Sequence, residues 1–141
     1  MRYLGLDLGT KTLGVSISDK TGLIASFYDS FRYEKEDDLL EKIKDIVQKE
    51  DIDVLVLGLP INMDGSLGFR AEETAAFKNK LEDVLNQEIV FQDERLSTRV
   101  ATDVLIEADM SRKKRKNVID GVSAVVILQT YLDRKDRNYD W

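Results

Sequence analysis

Apolar residues alternate at the start of the chain. Leu4, Leu6 and Leu8 fall on one side of a two-residue period and Tyr3, Gly5 and Asp7 on the other, which predicts a strand over residues 2 to 8. The polar break Gly9-Thr10-Lys11-Thr12 is followed by strand-like runs at Leu13 to Ser18 and Leu23 to Tyr33, parted by the turn residues Asp19-Lys20-Thr21-Gly22. Three strands joined by short turns predict an antiparallel meander. The period then changes. Leu39, Leu40, Ile43, Ile46 and Val47 recur at helical spacing in a polar background, predicting an amphipathic helix over 36 to 50. Val54-Leu55-Val56-Leu57 is a continuous apolar run closed by Gly58 and the only proline, Pro60, the pattern of a buried central parallel strand. A helix over Ala71 to Asn86, a strand over Glu88 to Gln92, a helix over Ser97 to Ala108 with Ser97 as N-cap, and a final helix over Asn117 to Arg134 complete the order. Val118, Val122, Val125 and Leu132 are the expected buried positions of the last helix, and the polar tail, 135 to 141, is expected to fray. A meander followed by strands alternating with helices predicts an α/β protein whose mixed sheet is covered on both faces.

Composition narrows the possibilities. At 141 residues, 43% hydrophobic and 34% charged, one globular domain over residues 1 to 141 is expected. No apolar run reaches the roughly 18 residues of a membrane span, and the strand pattern from Arg2 leaves no room for a signal peptide. A cytoplasmic protein with no membrane association is the expectation. The absence of Cys and His removes disulfides, thiol nucleophiles, Ser-His-Asp triads and Cys/His zinc sites, so a metal would have to sit on oxygen ligands. A net charge of −6 argues against nucleic acid as a partner on average. The charge is segregated, however: Arg112-Lys113-Lys114-Arg115-Lys116 is an unbroken basic run, while Glu34 to Asp53 is mainly acidic.

Asp7 stands in an otherwise apolar strand, where Asp is depleted. A buried carboxylate without a partner costs several kcal/mol, so it needs an ion pair with Lys11, amide donors from the Gly9-Thr10 turn, or a cation. Gly5 and Gly9 leave space for a ligand beside it. The segment Gly5 to Gly14 also resembles the first phosphate loop of actin-like ATPases, although those enzymes close two such domains over nucleotide. A second cluster, Gly58 to Ser66 with Asn62 and Asp64, leaves a central strand at its carboxyl end, where open α/β sheets bind ligands; a plain turn explains the same residues. The third is Asp93-Glu94-Arg95-Leu96-Ser97-Thr98, in which Glu94 reads either as a ligand or as an acid near a helix N-terminus. Asp120 opens the last helix, and its i+4 and i+7 neighbours, Ala124 and Ile127, suggest a face turned to the sheet. Cations beside a helix N-terminus oppose the macrodipole by about 0.3–1 kcal/mol each. The basic run is thus poorly explained by stability, and phosphate contact beside an acidic site is the preferred reading.

Taken together, the Asp7 loop with Lys11 and Gly14, Gly58-Leu59-Pro60 with Asn62, Asp64 and Gly65, Asp93 to Thr98, and Lys116 through Asp120 to Ala124 resemble the YqgF/RuvX family over essentially the whole chain. The resemblance implies an RNase H-like five-stranded mixed sheet of order 3-2-1-4-5 and a nuclease, proposed in the family as a Holliday junction resolvase by analogy with RuvC and implicated in 5′-end maturation of 16S rRNA. It implies Asp7, Glu94 and Asp120 as catalytic acids holding one or two Mg²⁺ or Mn²⁺ ions. Lys11, Arg95 and the run Arg112, Lys113, Lys114, Arg115 and Lys116 are the implied nucleic-acid contacts, Arg95 alternatively holding Glu94. Strand 5 lies two strands from strand 1, about 9–10 Å, so Asp64 is the reserve third ligand. Ser123 and Val125 flank the matched Ala124, and Val125 replaces a commoner alanine. The implied partners are precursor rRNA or branched DNA, and ribosomal particles, for a monomer or homodimer. A noncatalytic RNA- or ribosome-binding factor and an actin-like nucleotide-binding half-domain are the alternatives.

Overall fold

In the computed structural model, which describes residues 1–60, 68–93 and 112–137, the alternation within β1 (Tyr3–Leu8) separates two helical layers. Leu4, Leu6 and Leu8 enter a core with Leu39 and Ile43 of α1 (Glu36–Lys49) and Phe77 and Leu81 of α2 (Phe69–Val84). Tyr3 packs on the opposite side against Ile127, Leu128 and Leu132 of α3 (Arg112–Arg137). The remaining strands are β2 (Thr12–Ser18), β3 (Ala25–Arg32), β4 (Val54–Leu59) and β5 (Glu88–Asp93). Their order is β3-β2-β1-β4-β5, with the first three antiparallel and β1, β4 and β5 parallel. Meander and order match the sequence expectation. The expected helix over Ser97 to Ala108 lies outside the described residues.

Two departures have local causes. β3 begins at Ala25 rather than Leu23 because the Asp19 carboxylate accepts the Leu23 and Ile24 amides at 2.9 and 3.0 Å, closing a turn in which Gly22 takes φ 72°. The Thr21 hydroxyl, then those amides, hold the Asp19 carboxyl well below the usual carboxylate range. The last helix begins at Arg112, five residues before its expected start at Asn117, so the basic run forms its opening turns. Lys and Arg are good helix formers, and no Gly or Pro interrupts residues 112 to 120. At its other end α3 continues through Lys135 to Arg137, into the segment expected to fray.

Within α3, Leu132 is buried as expected, whereas two of the other expected positions are not fully covered. Ala124, Ile127, Leu128 and Leu132 are buried, whereas Val122 and Val125 are only half-buried on its flanks. The Ser16 hydroxyl donates to the Ala124 carbonyl at 2.7 Å, and the Gln129 side chain bridges the Ala25 amide at 2.9 Å and the Leu23 carbonyl at 3.0 Å. These bonds, reaching over more than a hundred residues of chain, select the phase. A methyl group at Gly5 would meet the Ser16 hydroxyl, Leu128 Cβ at 2.8 Å and the Ala124 carbonyl at 3.1 Å. Gly5→Ala is therefore expected to destabilise the fold by about 1–3 kcal/mol, read as a lower urea midpoint with an unchanged slope. An unshifted midpoint would show that α3 can move away at no cost.

α3 runs antiparallel to β1. Tyr131 stacks at 5.9 Å on Tyr3 and the Lys135 ammonium lies 5.3 Å from the same ring, while Ala124 and Leu128 cover Gly5. Moving toward the N-terminus of α3 thus leads toward the carboxyl end of β1.

Candidate active site

Asp7 is the penultimate residue of β1, half-buried on the α3 side of the sheet. Its antiparallel partner is Gly14. On the other side the parallel ladders pair Leu6 with Leu57, Leu57 with Phe91 and Gly58 with Gln92. Continued by one residue past its last pair, that register puts Gly58 and then Gln92 in line with Asp7 and Gly14. Neither of the two flanking positions, Gly14 and Gly58, carries a side chain. Gln92 is buried and donates from Nε2 to the Asp93 carbonyl at 3.1 Å.

This corrects the role of the glycines. Gly5 clears space for α3 rather than for a ligand, and the Gly9 amide is taken by the Thr12 carbonyl at 2.7 Å, which closes the turn. The room beside Asp7 comes from Gly14 and Gly58, which only cross-strand register brings together. Lys11 lies exposed at the tip of the turn, and its carbonyl accepts the Tyr33 amide at 2.9 Å. Two residues that sequence reasoning missed hold the same loop. The Tyr33 hydroxyl donates to the Gly9 carbonyl, and Arg70 Nη2 donates to the Leu8 carbonyl at 2.9 Å. Burial and then the Glu36 charge push the Tyr33 phenol up, so it remains a protonated donor at neutral pH. One signal for Arg70 was available: a cation in the first turn of a helix opposes the macrodipole.

Asp120 is the ninth residue of α3 rather than its opening residue, which removes the explanation that it serves a first turn. It lies one turn before Ala124, toward the carboxyl end of β1. Ala124 and Ile127, its i+4 and i+7 neighbours, are 0% and 1% exposed, as expected for a sheet-facing stripe. Because β1, β4 and β5 are parallel, Asp7, one residue before the end of β1, and Leu59 and Asp93, the last residues of β4 and β5, lie at one edge of the sheet. Glu94, Arg95 and Asp64 lie outside the described residues, and among the described residues no three acidic side chains form a metal-holding group. Arg112, Lys113, Lys114, Arg115 and Lys116 occupy the first two turns of α3. No described helix is long and apolar enough to cross a membrane.

A 3-2-1-4-5 mixed sheet with helices on both faces and an acid near the carboxyl end of its central strand is an RNase H-like fold. The structure is similar to that of "T. thermophilus RuvC in complex with Holliday junction substrate", with TM-score 0.60 and 8% identity over 96% of each chain. It is also similar to the fowlpox virus Holliday junction resolvase, with TM-score 0.58 and 14% identity over 95% of this chain and 99% of that one. At such identities the likeness is one of fold. The family model described as "RuvX: Holliday junction resolvase" matches residues 1–134. A Bacillus cereus (strain AH187) protein named "Putative pre-16S rRNA nuclease" is 48% identical over 137 residues, covering 96% of this chain and all of its own. A Geobacillus sp. (strain WCH70) protein of the same name is 47% identical over 137 residues, with 96% and 99% covered. The chain belongs to the RuvX family.

Proposed function

We propose that this protein is a metal-dependent nuclease that hydrolyses phosphodiester bonds in structured nucleic acid, with the 5′ end of precursor 16S rRNA as its substrate. The observation that carries the reading is Asp7: a half-buried carboxylate near the end of the central strand, between two glycines, with the Asp120 turn of α3 toward the same end. Asp7, Asp120 and Glu94 are the proposed ligands of Mg²⁺ or Mn²⁺, with Asp64 the alternative third ligand if Glu94 does not span the two strand spacings from β5 to β1. An all-oxygen donor set suits these hard cations, and the chain has no His or Cys to offer instead. When bound, the ion supplies activation of water and neutralisation of charge at the leaving oxygen. The protein itself holds Asp7 in the β1 ladder and offers Lys11 to a phosphate at the tip of the adjoining turn; Arg95, next to Glu94 in sequence, is the proposed phosphate contact or partner of Glu94. The basic start of α3 binds the nucleic-acid backbone.

The name of the curated relatives favours RNA and the family description favours branched DNA. Purified protein is therefore to be given a precursor 16S rRNA transcript and a four-way DNA junction, each with Mg²⁺ or Mn²⁺. Cleavage of the transcript alone is expected. Cleavage of the junction alone would reassign the substrate, and binding without cleavage of either would make the protein a noncatalytic RNA-binding factor.

Asp120 gives a separate check. Two carboxylates about 4 Å apart repel by about 4 kcal/mol at an effective dielectric of 20, and without metal nothing offsets this. The near-isosteric Asp120→Asn is expected to melt a few degrees higher than the unmodified protein in chelator while losing cleavage. Mg²⁺ should then raise the melting temperature of the unmodified protein more than that of the variant, because only the intact site binds the ion tightly. A variant that melts lower in chelator and cleaves normally removes Asp120 from the site.

A further inference from the structure

Resting on that reading of Asp7, we infer that Arg70 and Tyr33 are positioning residues for the metal-binding carboxylate, acting through the backbone of the loop that follows it. The β1–β4 ladder pairs Tyr3 with Val54 through Leu6 with Leu57 and stops one residue before Asp7. On the other side β2 continues to pair, through Asp7 with Gly14 and Leu8 with Leu13. Where the β4 ladder stops, side chains take over. Arg70 donates to the Leu8 carbonyl at 2.9 Å, the Tyr33 hydroxyl donates to the Gly9 carbonyl, and the Tyr33 amide donates to the Lys11 carbonyl at 2.9 Å. Three of the four carbonyls from Leu8 to Lys11 are thus held by two residues from different elements. Arg70 reaches from the first turn of α2, and Tyr33 follows the last residue of β3.

The arrangement is poorly explained by helix stability. A guanidinium in the first turn of α2 opposes the helix dipole, and the N-cap of that helix, Gly68, supplies no side-chain cap. Backbone hydrogen bonds one and two residues beyond Asp7 instead restrict how the peptide planes after it can rotate, and so where the carboxylate stands relative to a shared ion. Groups that orient a metal ligand in this way typically change metal affinity or activity by about 10- to 100-fold when removed.

The test measures Mn²⁺ binding to the free protein by calorimetry, together with kcat, KM and melting temperature, for the unmodified chain, Tyr33→Phe, Arg70→Gln and Arg70→Lys. The substrate is whichever of the precursor transcript or the junction the unmodified chain cleaves. Tyr33→Phe and Arg70→Gln are expected to weaken Mn²⁺ binding and lower kcat by about 10-fold or more, with KM unchanged. Arg70→Lys, which keeps a cationic donor, should recover most of both. Variants that melt lower but bind Mn²⁺ and turn over like the unmodified chain would show a purely structural role and overturn the inference. A raised KM with unchanged kcat and Mn²⁺ affinity would make Arg70 a substrate contact and overturn it as well. If Arg70→Gln fails to fold, Tyr33→Phe, which removes one hydroxyl, decides alone. If the unmodified chain binds no Mn²⁺, the metal reading of Asp7 falls first and this inference with it; if it binds and the variants match it, only the inference falls.

Discussion

Asp7→Asn is expected to leave the protein folded and to slow metal-dependent cleavage by about a thousandfold or more, a loss of about 4 kcal/mol of transition-state stabilisation at 1.36 kcal/mol per decade. The substitution is close to isosteric, and the flanking row positions are Gly14 and Gly58, so no neighbouring side chain in the row has to move. The backbone of residue 7 keeps its pairing with Gly14 whichever side chain it carries. What changes is charge: an amide is a far weaker ligand for a hard divalent cation than a carboxylate. Single-turnover cleavage by both proteins in Mg²⁺, repeated in excess chelator, gives the result directly. A variant that cleaves at the unmodified rate, or cleavage that survives the chelator, would remove Asp7 from the chemistry. A circular dichroism melt beside the kinetics separates lost chemistry from lost fold.

Replacing Lys113 and Lys116 together by Gln should weaken nucleic-acid binding and flatten its salt dependence, the second large effect expected. Five cations in an extended loop could all meet phosphates, giving a slope of about −4.5 in log affinity against log salt. A helix forbids this. Successive residues of α3 step about 100° around its axis, so positions 112 to 116 circle it once and only about three can address one phosphate strand. The contribution of the run falls to a slope of about −2.7, or about 40-fold in affinity between 50 and 200 mM salt. Positions 113, 116, 120 and 124 are spaced three and four apart, so the first two share a helix face with Asp120 and with Ala124, which covers Gly5. That face leads past the carboxyl end of β1. The double variant should therefore flatten the slope by about 1.8, and replacing Arg112 and Arg115 by less. Anisotropy titrations across salt, in the cleavage-deficient Asp7→Asn background, measure both. Equal slopes for all three proteins would mean that the run is an ordinary solvated helix end.

How much of this was legible in the chain depends on whether the determinant is local. The alternation of Leu4, Leu6 and Leu8, the helical spacing of Leu39 to Val47 and the unbroken run Val54 to Leu57 each state a secondary structure within a few residues. The mixed sheet covered on both faces follows from their order. Asp7 was legible as a candidate site for the same reason, since a carboxylate in an apolar strand needs a partner wherever the strand goes. Apart from the Asp19 turn and the early start of α3, which are local, the departures involve residues distant in sequence. The start of α3 follows helix propensity, and its buried stripe follows the bonds from Ser16 and Gln129, which leave Val122 and Val125 on the flanks. Gly14 and Gly58 become neighbours of Asp7 only through strand register, whereas Gly5, nearer in sequence, is filled by a helix more than a hundred residues away. Arg70 and Tyr33 reach the Asp7 loop only once α2 and β3 have packed. The sequence by itself determined which segments are strands or helices, their alternation, and the one acid that apolar surroundings could not explain, because periodicity and burial cost act over a single element. Tertiary structure alone decided which glycines flank Asp7 and which side chains bond to the loop that follows it. Those choices are set by register and helix phase, which depend on contacts between elements and leave no periodic trace in the chain.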